Sequence, residues 1–173
     1  IDRLRDLELA LAGRVTFIHS TRLAIAELIR DADLVGGAVL VPGAKAPRLI
    51  SRGMLANMKP GSVIVDVAVD QGGCVETTRP TTHSEPTYVV DGVIHYCVAN
   101  MPGAVPVTST QALCNATLPY VCVLADRGVE AAIADTPALT AGVNVRAGRI
   151  VNEVVAAALA YLIIEQGDAV VVA

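Results

Sequence analysis

The spacing of apolar residues changes period repeatedly along the chain, and each change marks a new element. Leu4, Leu7 and Leu11 fall at helical intervals, so a helix is already under way in the first residues. After Gly13 and Arg14, residues 15–19 (Val-Thr-Phe-Ile-His) form a β-branched and aromatic run of strand length. Residues 22–30 return to a helical period through Leu23, Ala24, Ala26, Leu28 and Ile29. A second strand is expected at 34–40, stopped by the Pro42-Gly43 turn, and Pro47 then suits the first turn of a helix reaching about Lys59. Pro60-Gly61 breaks that helix, and residues 62–67 (Ser-Val-Ile-Val-Asp-Val) are almost continuously apolar, as in a strand covered on both faces. A long loop holding Gly72, Gly73, Pro80 and Pro86 leads to a short strand near Tyr88, a turn at Asp91-Gly92 and a strand at 93–98. From Pro102 onward no strand is expected. Thr108-Ser109-Thr110 can cap a helix that reaches Gly128, kinked or restarted at Pro119. Helical segments follow near 130–134 and 152–166, the last closed by Gly167.

Strands alternating with helices of about ten residues indicate βαβ units, hence an α/β fold with a mostly parallel, doubly wound sheet followed by carboxy-terminal helices. The composition agrees: 53% of residues are hydrophobic and 17% charged, with a mean hydropathy of +0.55. With one Phe, four Tyr and no Trp, the core must be filled by Val, Leu, Ile and Ala. A net charge of −4 without any basic cluster argues against nucleic acid or an anionic membrane as partner. The longest apolar run, 154–164, is too short for the roughly 20 residues a bilayer needs, and Ile1-Asp2-Arg3 does not open a signal peptide. A cytoplasmic protein is expected. Cys74, Cys97, Cys114 and Cys122 form no C-x-x-C pair and have no accompanying set of His ligands, so buried free thiols are expected rather than disulfides or zinc. The chain lacks an initiating Met and begins inside a helix, from which we expect that something preceded Ile1.

In open α/β sheets ligands bind beyond the carboxyl ends of the strands, which directs attention to the residues after each one. These are His19-Ser20-Thr21, residues 39–43, residues 67–73 and residues 99–103. Each also has a plain structural use: Ser20 as a helix N-cap, Pro42-Gly43 as a turn, Asn100 as a residue that tolerates left-handed backbone. Asp70 is the strongest chemical candidate, because a carboxylate just past a buried strand and followed by Gln-Gly-Gly can act as general acid or base. The alternative is that it accepts backbone N–H bonds in its own loop. Asp66, within the strand, is expected to be a structural partner for a helix end or an Arg, unless the strand ends one residue early and Asp66 is the functional carboxylate.

Several strings are more specific than spacing. Val-Pro-Gly-Ala-Lys-Ala-Pro at 41–47, Asp-Gln-Gly-Gly-Cys at 70–74, Arg-Pro-Thr-Thr at 79–82 and Tyr-Cys-Val-Ala-Asn-Met-Pro at 96–102 resemble the alanine dehydrogenases. The likeness runs from the first residue to about Gly148 and includes Asn-Ala-Thr-Leu-Pro-Tyr at 115–120. It implies a Rossmann-type fold, with 1–103 as the second half of an NAD-binding domain lacking its first two strands, and 104–173 as a helical segment returning to a substrate domain. It further implies NAD-dependent oxidative deamination of L-alanine to pyruvate and ammonia, in a homo-oligomer that is often a hexamer. By matching position, Asp70 would be the catalytic carboxylate. Cofactor contacts would fall on Arg3, Ser20, Val39, Leu40, Val67, Ala68, Val69, Asp70, Arg79, Val98, Ala99, Asn100 and Met101.

The chain departs from the family in three ways. The G-x-G-x-x-G loop, the ribose-binding acidic residue, the catalytic His and the Arg and Lys that hold the substrate carboxylate have no counterpart here. Arg127 stands in the stretch where some members carry a metal-linked His, so no metal is expected. Residues 160–173 do not resemble the usual end of the family. The expected consequences are a sheet whose strand at 15–19 lacks its neighbour, an open edge on the strand at 34–40, and a fragment inactive by itself. Two other readings are the NAD-binding subunit of a proton-translocating transhydrogenase and a non-catalytic nucleotide-binding relic.

Overall fold

Leu4, Leu7 and Leu11 do share one face: they are the half-buried stripe of α1 (Asp2–Leu11) in a computed structural model that describes residues 2–11, 13–42 and 44–158. The chain divides into two compact units, Ile1–Leu40 with Ala46–Ala99, and Val41–Lys45 with Asn100–Ala173.

In the first unit the stretch 15–19 joins no sheet, contrary to expectation, and Val15 and Ile18 are about half exposed. Its side chains favour a strand, but a strand persists only against a ladder partner, and no described residue offers one. α2 (Arg22–Asp31) is capped by Thr21, whose Oγ1 accepts from Ala24 N at 3.1 Å, so Thr21 takes the capping role expected of Ser20. β1 (Leu34–Gly37) is shorter than the expected 34–40, because its ladder with β2 ends at the Gly37–Asp66 pair. The expected helix at 47–59 shrinks to α3 (Arg52–Leu55). Residues 46–50 are held extended instead by bonds to the loop after β2: Ala46 N to Gln71 O at 2.8 Å, Leu49 N to Cys74 O at 2.7 Å, and an Ile50–Val75 bridge. Tertiary pairing overrides local helix preference there.

β2 (Val63–Asp66), β3 (Thr87–Val90) and β4 (Val93–Tyr96) complete a sheet of order β1-β2-β4-β3. β1, β2 and β4 run parallel, and β3 pairs antiparallel with β4 through a tight turn in which Asp91 and Gly92 both have positive φ, 51° and 81°. The sheet packs on Ile29, Met54, Leu55, Met58, Ile64, Val75 and Val93. The other edge of β1 is unpaired among the described residues, and Leu34 on it is 65% exposed.

In the second unit α4 (Pro106–Arg127) starts with Pro at its first position, ahead of the expected cap at 108–110. Ser109 bonds Pro102 O at 2.7 Å rather than capping, and the helix continues through Pro119 without restarting. α5 (Val129–Asp135) follows at the positive-φ Gly128, and α6 (Pro137–Ala141), not foreseen, comes next. The expectation that strands stop after Pro102 is corrected by β5 (Val145–Arg146) and β6 (Arg149–Ile150). This short hairpin turns on Ala147 and Gly148, both at positive φ. α7 (Glu153–Ala158) covers the start of the segment expected at 152–166; its remainder and the Gly167 stop lie outside the described residues. Among the described residues no helix is long and apolar enough to cross a membrane.

Candidate functional site

Parallel pairing makes β1, β2 and β4 end at one edge of the sheet, so the segments 38–40, 67–73 and 97–99 emerge together there. The β2 segment is the most organised. Val67 N donates to Gly37 O at 2.7 Å, residues 69–71 make one tight helical turn, and Gly72 and Gly73 reverse the chain with φ of 101° and 74°. On that turn Asp70 is exposed and makes no hydrogen bond or ion pair within the described residues. Its carboxylate accepts none of the N–H groups of its own loop.

The carboxylate that does bind the loop is Asp66, which is fully buried at the end of β2. It accepts from Ala68 N at 3.1 Å, Cys74 N at 3.0 Å and Thr78 Oγ1 at 2.6 Å. The helix end and Arg expected as its partners are replaced by loop backbone and a hydroxyl. Cys74 Sγ stands 3.5 Å from Asp66 Oδ1, and burial first, then the adjacent carboxylate, pushes its thiol up to about 11, so it remains a protonated donor at neutral pH. Gly37 belongs to the same packing, since a Cβ there would overlap Cys74 Sγ.

The remaining expected contacts divide by exposure. Val39 is half-buried on the core, whereas Leu40 and Val67 present 65% and 53% of their surface at the carboxyl edge. Ala68, Val69 and Val98 turn their side chains inward, which leaves only their backbone for a ligand, and Ala99 is exposed. Three residues stand on other segments: Arg3 on α1, Ser20 ahead of α2, and Arg79 in the loop before β3. Arg3 is exposed, and Ser20 lines a cleft of about 280 Å³ with Arg22 and Arg48. The Arg79 guanidinium lies 4.3 Å from the centroid of the Tyr88 ring, a cation–π contact. Asn100 and Met101 belong to the second unit, where Asn100, Pro102, Ser109 and Thr110 line a cleft of about 690 Å³ beside the start of α4.

Sequence reasoning passed over Thr78, Cys74 and the buried His95. His95 Nδ1 faces Val93 O at 3.0 Å; a carbonyl only accepts, so Nδ1 carries a proton, and Nε2 shares a 2.8 Å hydrogen bond with Thr77 Oγ1. Its ring stacks on Tyr88 at 5.0 Å. The signal available for Asp66 was a carboxylate closing an otherwise apolar strand, with a hydroxyl and two glycines downstream. The four cysteines are all free, but only Cys74 and Cys97 are buried; Cys114 and Cys122 are exposed on α4, because that helix buries no residue within the described structure.

Residues 1–153 match the family model described as alanine dehydrogenase/PNT, C-terminal domain. The alanine dehydrogenase of Halomonas elongata is 59% identical over 165 residues, which is 95% of this chain and 44% of that protein. That of Mycolicibacterium smegmatis is 54% identical over 156 residues, 90% of this chain and 42% of that protein. A solved L-alanine dehydrogenase, 52% identical, aligns with a TM-score of 0.79 over 91% of this chain and 43% of that one. The chain therefore spans less than half the length of these relatives. With the parallel sheet, the loop after β2 and a match over most of its length, the chain belongs to the alanine dehydrogenase/PNT C-terminal domain family.

Proposed function

We propose that this chain is part of an NAD-dependent L-alanine dehydrogenase, converting L-alanine, NAD+ and water into pyruvate, ammonia and NADH. The observation that carries the reading is Asp70: an exposed carboxylate, without a partner among the described residues, on a tightly bonded loop at the carboxyl edge of a parallel sheet. The edge also suits the dinucleotide. Leu40 and Val67 offer exposed apolar surface there, and the side chains of Ala68 and Val69 turn inward beneath it.

NAD, when bound, supplies the acceptor for the hydride leaving the alanine α-carbon. Asp70 moves a proton at the substrate amine or at the attacking water. Val39, Leu40, Val67, Ala68, Val69 and Ala99, with the backbone of Val98, contact the cofactor, and Arg3, Ser20, Arg79, Asn100 and Met101 extend the contact. In this reading 1–103 is the cofactor-binding half and 104–173 leads to the substrate domain, in a cytoplasmic homo-oligomer.

The test is NADH absorbance after adding L-alanine and NAD+ to the chain completed to the length of its relatives, beside Asp70→Asn. Loss of a general acid or base costs about 10²- to 10⁴-fold in turnover while leaving cofactor affinity within a few fold. Full activity in Asp70→Asn refutes the role of Asp70. A complete protein that ignores alanine refutes the substrate.

A further inference from the structure

Asp66 is the one carboxylate that is wholly buried among the described residues, and none of the ion pairs there includes it. Four donors converge on it instead. Oδ1 faces Ala68 N at 3.1 Å and Cys74 Sγ at 3.5 Å; Oδ2 faces Cys74 N at 3.0 Å and Thr78 Oγ1 at 2.6 Å. Both oxygens act purely as acceptors, which is the pattern of a carboxylate held by charge-assisted bonds.

The donors are distributed with a purpose visible in the chain order. Ala68 precedes Asp70, and Cys74 and Thr78 follow it, so one carboxylate gathers the entry and exit of the loop that carries Asp70. Within that frame Gly73 N donates to Ala68 O at 3.0 Å, and Ala46 N to Gln71 O at 2.8 Å. The Asp70 side chain makes no bond to the described residues. Its location is therefore set by the backbone, and the backbone by Asp66. The space is also reserved: Gly73 has φ of 74°, and a Cβ there would overlap Thr78 Oγ1 and stand 3.0 Å from Asp66 Oδ2.

We propose that Asp66 is a positioning residue of this site, its carboxylate clamped by the Thr78 hydroxyl so that the loop presents Asp70 and the exposed Val67 side chain to the reactants. The proposal rests on the reading of Asp70 as the catalytic carboxylate. Asp66→Asn turns one acceptor into a donor facing other donors, which breaks the network without changing its size. The Thr78 hydroxyl has a second acceptor in Val75 O at 2.8 Å, so Thr78→Val removes both contacts of its one proton, and Thr78→Ser keeps them.

Two measurements test this. In the chain completed to the length of its relatives, displacing a catalytic group by about 1 Å costs on the order of 10²-fold. Asp66→Asn and Thr78→Val are therefore expected to lower kcat about 10- to 100-fold with alanine KM changed much less, and Thr78→Ser to restore kcat to within about threefold. In the chain without cofactor, amide hydrogen exchange is expected to accelerate at Ala68 and Cys74 in both variants, while Val63 and Ile94 in the sheet keep their protection. Wild-type kcat in Thr78→Val and Asp66→Asn overturns the proposal, as does a loss of protection spread evenly over the sheet. If the unaltered protein gives no alanine-dependent NADH, the dehydrogenase reading fails separately. The exchange pattern then decides whether Asp66 holds the loop.

Discussion

Gly73→Ala isolates how much this loop depends on two backbone requirements at one position. At φ of 74° an L-residue other than Gly pays about 1–2 kcal/mol for left-handed backbone. The added Cβ would also displace Thr78 Oγ1 from Asp66, a 2.6 Å bond to a carboxylate. Bonds to charged groups contribute about 1.5–3 kcal/mol. The sum is roughly 2.5–5 kcal/mol, a large share of the 5–15 kcal/mol that folds a typical domain. Gly61→Ala supplies the control: its φ is 84°, but nothing lies within 4 Å of the new Cβ, so only the backbone cost of about 1–2 kcal/mol applies. Urea unfolding of both variants beside the unaltered chain, followed by far-UV circular dichroism, gives the two differences directly. Equal destabilisation of the two variants, within about 0.5 kcal/mol, would refute the argument that the Asp66–Thr78 contact is what excludes a side chain at position 73.

Three further outcomes follow from the geometry. Thr21→Ala should cost about 1 kcal/mol in urea unfolding because it removes the cap on Ala24 N, whereas Ser20→Ala should stay within about 0.5 kcal/mol. At pH 8 iodoacetamide should label the exposed Cys114 and Cys122 long before Cys74, whose thiol at about 11 is only about one-thousandth ionised; mass spectrometry showing Cys74 modified equally fast refutes this. The same shift sets a pH dependence. Cys74 is raised from 9.0 to about 11, so between these values the unfolded chain loses a proton that the folded chain keeps, and stability falls as pH rises. Melting temperature followed from pH 8 to 11 should drop less steeply in Cys74→Ser, which does not titrate there.

Local pattern was enough to locate most elements, because period and turn chemistry are short-range. α1 and α2 follow the Leu and Ile spacing, β2 follows Val63-Ile64-Val65, and the β3–β4 hairpin follows Asp91-Gly92. It misjudged residues 47–59, where pairing with Gln71, Cys74 and Val75 pulls a helix-compatible stretch into extended backbone. It also missed the β5–β6 hairpin, whose strands are two residues each and show no alternation to read.

Asp70 was legible as a carboxylate in a glycine-rich loop past a buried strand, since its exposure and its neighbours are properties of that short segment. Asp66 was not. Its burial and its bonds depend on Thr78, twelve positions away, and on the room left at Gly37 and Gly73 for the loop to fold back over the carboxylate. Side-chain chemistry and local period thus decided which groups are available and which elements form. Only folding could decide which of two nearby carboxylates faces outward and which is enclosed, because a hydrogen-bonded buried carboxylate exists only once distant donors have been brought to it.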